Sequence, residues 1–164
     1  MADYSIGVDL GGTNLRAAAV TADGSMLDKI SGSTDLHEGR DAVVADIVDA
    51  ITQLKQRCGE GTLTGVGIGV PGFILIEKGV ISGSNNLPQF DNFPIRDVIE
   101  KQLGTSIFLE NDANAAALGE KWIGAGRDVD DLVLLTLGTG IGGGIVSGGR
   151  VLHGFLGKIG RAHV

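Results

Sequence analysis

The sequence predicts an α/β fold in which three antiparallel strands are followed by strands linked through helices, with the opening pattern starting again near Asp131. Three observations predict it. Apolar alternation resumes after each of two short turns between Ser5 and Ile30, and apolar residues from Val43 to Leu54 recur at helical spacing. The chain also holds 28 glycines, well above an average share of roughly 7%, and they cluster at strand ends without any period.

Taken in order, Ser5 to Leu10 and Leu15 to Val20 read as strands around the turn "GGTN", and "ADGS" is the turn into a third strand from Met26 to Ile30. "GRDAVVADIVDAITQLKQRCG" places Val43, Val44, Ile47, Val48, Ile51 and Leu54 on one helical face, with Gly59 as its stop. "LTGVGIGVPG" is a buried strand ending at Pro71 and Gly72, and a short β pair follows around Ile74 and Val80. "SNNLPQFDNFP" is a loop, Ile95 to Leu103 a helix, and "SIFLE" a short buried strand. "NDANAAALGEKWIG" is a helix capped by Asn111 or Asp112 and ended by Gly124 or Gly126. "LVLLTL" and "GGGIVSGG" are two strands around a second glycine turn. This order describes a ribonuclease H-like α/β domain, and two such halves facing each other make the actin-like ATPase architecture. The expected division is a complete first domain over residues 1–112 and the start of a truncated second domain over 113–158.

Bulk properties narrow the function. With 164 residues there is room for one domain, or one domain and part of another, and 43% apolar residues support a real core. A net charge of −7 without a basic run argues against a nucleic-acid partner. Cys58 is the single cysteine, which excludes an internal disulfide and a cysteine-based zinc site in this chain. No apolar run reaches the roughly 18 residues that a membrane span needs, and a strand begins within a few residues of Met1. A soluble, cytoplasmic protein without signal peptide or membrane partner is expected.

"GVDLGGTNLRAAAV" puts Asp9, Gly11, Gly12, Thr13 and Asn14 between two apolar runs. Glycine permits positive φ and lets a ligand approach bare backbone, and Asp9 at a strand end beside open amides suits a metal-bound phosphate. A hairpin built from ordinary turn formers is the plain alternative. In "LTLGTGIGGGIVSGG", Gly138, Gly140 and Gly143 match G-x-G-x-x-G, yet a dinucleotide fingerprint needs those glycines to open a helix, and a strand follows here. Two similar hairpin tips placed opposite each other would hold the phosphates of one nucleotide from both sides. Asn111 and Asp112 sit where a buried strand meets a helix, the edge at which α/β sheets bind ligands. Such a pair is most often a helix cap. Between two phosphate turns, however, a carboxylate can take the proton from a sugar hydroxyl as it attacks a γ-phosphate.

With "GVDLGGTNLRAAAV", "GIGVPG", "NNLP", "ENDANAAALGE" and "LTLGTGIGGGIVSGGRVLHG" in this order over nearly its whole length, the chain resembles the ROK family of sugar kinases and repressors, its bacterial glucokinases most closely. The resemblance implies an ATP-dependent hexose kinase, most simply one that makes glucose 6-phosphate. It makes Asp112 the general base, and Gly72, Asn86, Asn111 and Asp112 the sugar-binding residues. Asp9, Gly11, Gly12, Thr13 and Asn14 resemble the first phosphate loop, and Gly138, Thr139 and Gly140 the second. ATP with Mg2+ is the implied nucleotide, and the intact protein is expected to be a homo-oligomer, a dimer.

After "HGFLGK" the family continues into a segment that supplies a sugar-binding glutamate and a histidine, often followed by a cysteine-rich zinc motif. This chain reads "IGRAHV" instead, which matches one reading frame of a common sequencing adapter. Residues 159–164 are therefore expected to be a non-native tail, the zinc site to be absent, and the chain alone to be inactive. The same family contains sugar-sensing transcriptional regulators. They carry a helix-turn-helix ahead of the first phosphate loop, for which nine residues up to Asp9 leave no room. A phosphate-loop activator or chaperone module would not need the "NNLP" and "END" pair. Fructose, mannose, N-acetylglucosamine and N-acetylmannosamine kinases share these motifs, so the sugar stays open.

Overall fold

A computed structural model describes residues 3–137, 141–154 and 159. The first three strands, β1 (Tyr4–Leu10), β2 (Asn14–Thr21) and β3 (Met26–Ser33), form an antiparallel meander. Helix α1 (Arg40–Cys58) then returns the chain so that β4 (Leu63–Val70) pairs parallel to β1. After the small β5 (Phe73–Leu75) and β6 (Val80–Gly83) pair, α2 (Ile95–Leu103) leads to β7 (Ile107–Asn111), parallel to β4. The sheet order is β3-β2-β1-β4-β7, which is the ribonuclease H-like arrangement expected from the sequence. Helix α3 (Asp112–Trp122) follows directly, and β8 (Leu132–Leu137), β9 (Ile141–Ser147) and β10 (Arg150–Val151) make a second antiparallel sheet.

Alternation in β1 sends Tyr4, Ile6, Val8 and Leu10 to one face, where they meet Val43, Ile47, Ile51 and Leu54 of α1 and Ile99 of α2. Each such side chain contributes about 1.5–3 kcal/mol on full burial. The helix stops at Gly59, whose φ of 61° suits glycine. The opposite face is rich in glycine: Gly7 on β1 pairs with Gly67 on β4, and Gly67 with Phe108 on β7. It stays open, with Phe108 70% exposed. The outer side of β8 is likewise apolar and open at Val133, Leu135 and Leu137.

Helix α3 lies between the two sheets, and its alanines allow it to do so. A side chain at Gly69 of β4 would meet Ala115 at 3.6 Å, in ordinary contact. On the other flank the fit is tighter: a Cβ at Gly144 of β9 would stand 2.7 Å from Ala117 Cβ and 2.8 Å from the Ala113 carbonyl. Gly144 is thus a helix-packing glycine, while a Cβ at Gly142 would first meet Thr136 Oγ1 of β8 at 2.6 Å. The helix ends at Trp122, and the Gly124 amide donates to the Glu120 carbonyl just beyond it.

Gly144→Ala is expected to cost about 1–3 kcal/mol by overpacking. Gly67→Ala, where nothing lies within 4 Å, should be neutral or slightly stabilising. Urea unfolding of the two variants side by side checks the difference.

Candidate active site

Strands β1, β4 and β7 run parallel, so the segments after their last residues share one edge of the sheet. Leu10 leads to Gly11 and Gly12, Val70 to Pro71 and Gly72, and Asn111 to Asp112. This edge is where open α/β sheets bind ligands.

Asn111 is the residue that locks the edge. It is 2% exposed and serves as the N-cap of α3, with its Oδ1 accepting from the amides of Ala113 (2.9 Å) and Asn114 (3.1 Å). Its Nδ2 donates to the Val70 carbonyl (3.2 Å), the Gly72 carbonyl (3.4 Å) and Asp112 Oδ1 (2.5 Å). One amide therefore fastens the loop after β4 to the carboxylate that opens α3. Asp112 Oδ1 also accepts from the Ala113 amide.

Gly72 sits at φ 113°, and a Cβ there would come within 2.4 Å of the Gly83 carbonyl and 2.7 Å of Ser84 Cβ. Only glycine lets this turn close against the loop that carries Asn86. That loop contains a short 3-10 turn, Pro88–Phe90, and is anchored by Leu87 and Phe90, both fully buried. Ser84 Oγ accepts from the Leu87 amide, and Gln89 Nε2 donates to the Leu36 carbonyl. Asn86 is exposed beside these anchors, at the rim of the edge.

The first glycine turn departs from expectation in two respects. Neither Gly11 nor Gly12 is among the positive-φ residues, so left-handed backbone is not why glycine stands there. Space is the reason. A Cβ at Gly12 would lie 3.1 Å from the Asn86 carbonyl, and one at Gly11 3.3 Å from the Asn14 carbonyl. The Gly11 amide, moreover, closes the turn on the Asn14 carbonyl at 2.8 Å and is not an open donor. Asn14 Nδ2 donates to Thr13 Oγ1, and the Thr13 carbonyl accepts from the Thr34 amide.

Asp9 faces Arg16 across the β1–β2 ladder at 3.7 Å. Its side chain is 59% exposed, yet partial desolvation raises its pKa above the ordinary carboxylate value; Arg16 pulls it down and nearby Asp112 pushes it up. A carboxylate whose charge the fold disfavours suits a site that receives a cation with its ligand. Among the described residues there is no group of three or more His, Cys, Asp or Glu placed to hold a metal by themselves.

The structure thus brings Asp9, Gly11, Gly12, Gly72, Asn86, Asn111 and Asp112 to one edge, with Thr13 and Asn14 closing the first turn. Gly138, Thr139 and Gly140 lie outside the described residues. A concavity of about 860 Å3 runs over the bare sheet face from Trp122 and Phe108 to Asp9 and Glu110, but Gly12, Gly72, Asn86 and Asp112 do not line it. Glu110 and His153, by contrast, had no role assigned from the sequence. They are 43 residues apart, and nothing in their spacing announces that Glu110 Oε2 and His153 Nε2 meet at 2.6 Å.

The raised pKa of Asp9 carries a sign. Its folded value exceeds its unfolded one, so the folded chain loses stability as pH rises through the interval between them. Asp9→Asn lacks that loss. Its thermal midpoint should match the wild type at the acid end and exceed it modestly at neutral pH, as differential scanning calorimetry across pH can show.

A second expectation concerns Gly12, where an added side chain strikes the Asn86 carbonyl first. Gly12→Val should therefore push the first turn away from the Asn86 loop and cost about 1–3 kcal/mol by overpacking. Urea unfolding beside the wild type checks it.

The model of the ROK family matches residues 5–163. The glucokinase of Thermotoga maritima is 47% identical over 149 residues, which cover 91% of this chain and 46% of that relative. Among solved structures, a ROK hexokinase from Thermus thermophilus superposes with a TM-score of 0.85 at 39% identity, over 96% of this chain and 51% of the other. A ROK family glucokinase from Streptomyces griseus, in complex with glucose and AMPPNP, superposes with a TM-score of 0.85 at 34% identity, over 94% of this chain and 47% of the other. The chain spans about half the length of the relatives it matches.

Proposed function

The chain belongs to the ROK family, and from that membership together with the sheet edge we propose that the intact protein is an ATP-dependent hexose kinase, with glucose the first substrate to test. One observation carries the reading. Asp112 opens α3 at the carboxyl edge of the parallel strands, held by the Nδ2 of Asn111 and electrostatically close to Asp9 behind the first glycine turn.

The mechanism follows from that placement. A sugar resting on Gly72, Asn86 and Asn111 would present a hydroxyl to Asp112, which takes its proton as the oxygen attacks the γ-phosphate. The Asn111 amide keeps one carboxylate oxygen oriented and so fixes how Asp112 stands toward the hydroxyl. Gly12, with a Cβ position against Asn86, keeps the first phosphate turn in contact with the sugar loop, so the two ligands are held by touching segments. Mg2+ would come with the ATP phosphates and neutralise their charge, and Asp9 and Asp112 are the carboxylates that would face it. Gly138, Thr139 and Gly140 form the second phosphate loop in this reading. Assembly of the intact protein as a homo-oligomer rests on family likeness. The net charge of −7 favours small-molecule partners over nucleic acid, and the cytoplasm is the compartment that supplies both substrates. No helix among the described residues is long and apolar enough to cross a membrane.

Asp112→Asn in the intact kinase should lower kcat by about 10²- to 10⁴-fold while the dissociation constant for glucose changes little, because only the proton acceptor is lost. Coupled ADP release and isothermal titration with glucose measure the two effects separately. Retention of more than about a tenth of wild-type kcat would remove Asp112 from the role of base.

A further inference from the structure

Glu110 is the last residue of β7 before the capping pair, and its side chain is largely buried. Its Oε1 accepts from the Asn111 backbone amide at 2.8 Å and from Asn114 Nδ2 at 3.0 Å. Its Oε2 meets His153 Nε2 at 2.6 Å. His153 belongs to the chain leaving the second sheet, where the Leu152 amide is bonded to the Ile145 carbonyl of β9. We propose that His153 is a positioning residue for the phosphoryl transfer, a latch from the second sheet that acts through Glu110 on Asn111 and Asp112.

The chemistry of the groups gives the latch its direction. A carboxylate oxygen accepts hydrogen bonds and donates none, so the ring nitrogen facing Oε2 carries the proton. A short bond from an imidazole N–H to a carboxylate is among the stronger protein hydrogen bonds. It fixes the rotamer of Glu110, whose other oxygen then holds both the Asn111 amide and the Asn114 side chain. Asn114 is 2% exposed, and its Oδ1 has no hydrogen-bond partner among the described residues. Glu110 is thus what orients that buried amide. From Asn111 the chain of contacts continues through Nδ2 to Asp112 Oδ1. A residue just beyond the second sheet is in this way tied to the end of β7 in the first.

The proposal rests on Asp112 being the base, and two independent experiments keep the ideas apart. In the intact kinase, His153→Leu should lower kcat about tenfold or more with the glucose KM within about twofold, since a small misplacement of a reacting group is costly while the sugar contacts remain. His153→Gln, whose amide can place an N–H where Nε2 stands, should restore kcat to within about threefold of wild type. Glu110→Gln combined with His153→Leu should be no worse than the more damaging single change. Unchanged kcat in His153→Leu, a loss confined to KM, no rescue by His153→Gln, or additive losses would each overturn the proposal.

The second experiment needs no chemistry. Amide hydrogen exchange on the 164-residue chain should show the Asn111, Ala113 and Asn114 amides exchanging roughly tenfold faster in His153→Leu and at wild-type rates in His153→Gln. If Asp112→Asn keeps its turnover, the base assignment fails, and exchange still decides the contact. Protection lost in His153→Leu supports the latch, and unchanged protection sinks it.

Discussion

A buried amide that fails to meet its hydrogen-bonding groups costs about 1–3 kcal/mol, so the surroundings of a buried asparagine must be built to suit it. Asn111 imposes that constraint on three parts of the chain at once. Its oxygen needs the first amides of α3, which fixes where the helix begins. Its nitrogen needs the Val70 and Gly72 carbonyls, which fixes how the chain leaves β4. The same nitrogen reaches Asp112 Oδ1, so the carboxylate proposed as base is set by the group that caps its own helix. A cap and a functional ligand compete as explanations when the sequence is read alone. In the folded chain one arrangement accommodates both, because the cap also fixes the carboxylate proposed as base.

Close approach is the second constraint, and it explains the glycines more economically than backbone freedom does. Gly72 alone at this edge takes a positive φ and also lacks room for a Cβ. Gly12 has little room for a side chain against the Asn86 carbonyl, and Gly144 has none against Ala117. In each case a loop or strand touches another backbone where an ordinary residue would hold them apart. The composition therefore encodes proximity between segments far apart in sequence: turn to sugar loop, and strand to helix.

Much of this was legible beforehand for local reasons. The apolar spacing from Val43 to Leu54 could only bury one helical stripe, and Gly59 could only end it, as α1 shows. Three hairpin-linked strands followed by helix-linked ones were enough to indicate the fold class, because parallel strands need a crossover between them. Asn111 and Asp112 stood out since they joined a strand to a helix. What escaped were contacts with no local signature. Asp9 beside Asp112, Gly12 beside Asn86 and Glu110 beside His153 are each brought together only by tertiary folding. For the glycine turn, positive φ was one of the reasons expected, and tight clearance to neighbouring carbonyls was found instead.

The electrostatics of the edge point the same way as its packing. Asp9 stands, half exposed, where partial desolvation and Asp112 both disfavour its charge, with the exposed Arg16 as a partial counterweight. A chain selected for stability alone has no reason to keep that carboxylate, since a neutral residue of the same shape would avoid the cost. A cation arriving at the edge with a ligand would reverse that balance at Asp9. In the proposed kinase this would be the metal carried on ATP, and a free sugar brings none. A carboxylate at Asp9 therefore fits the proposed nucleotide better than the proposed hexose.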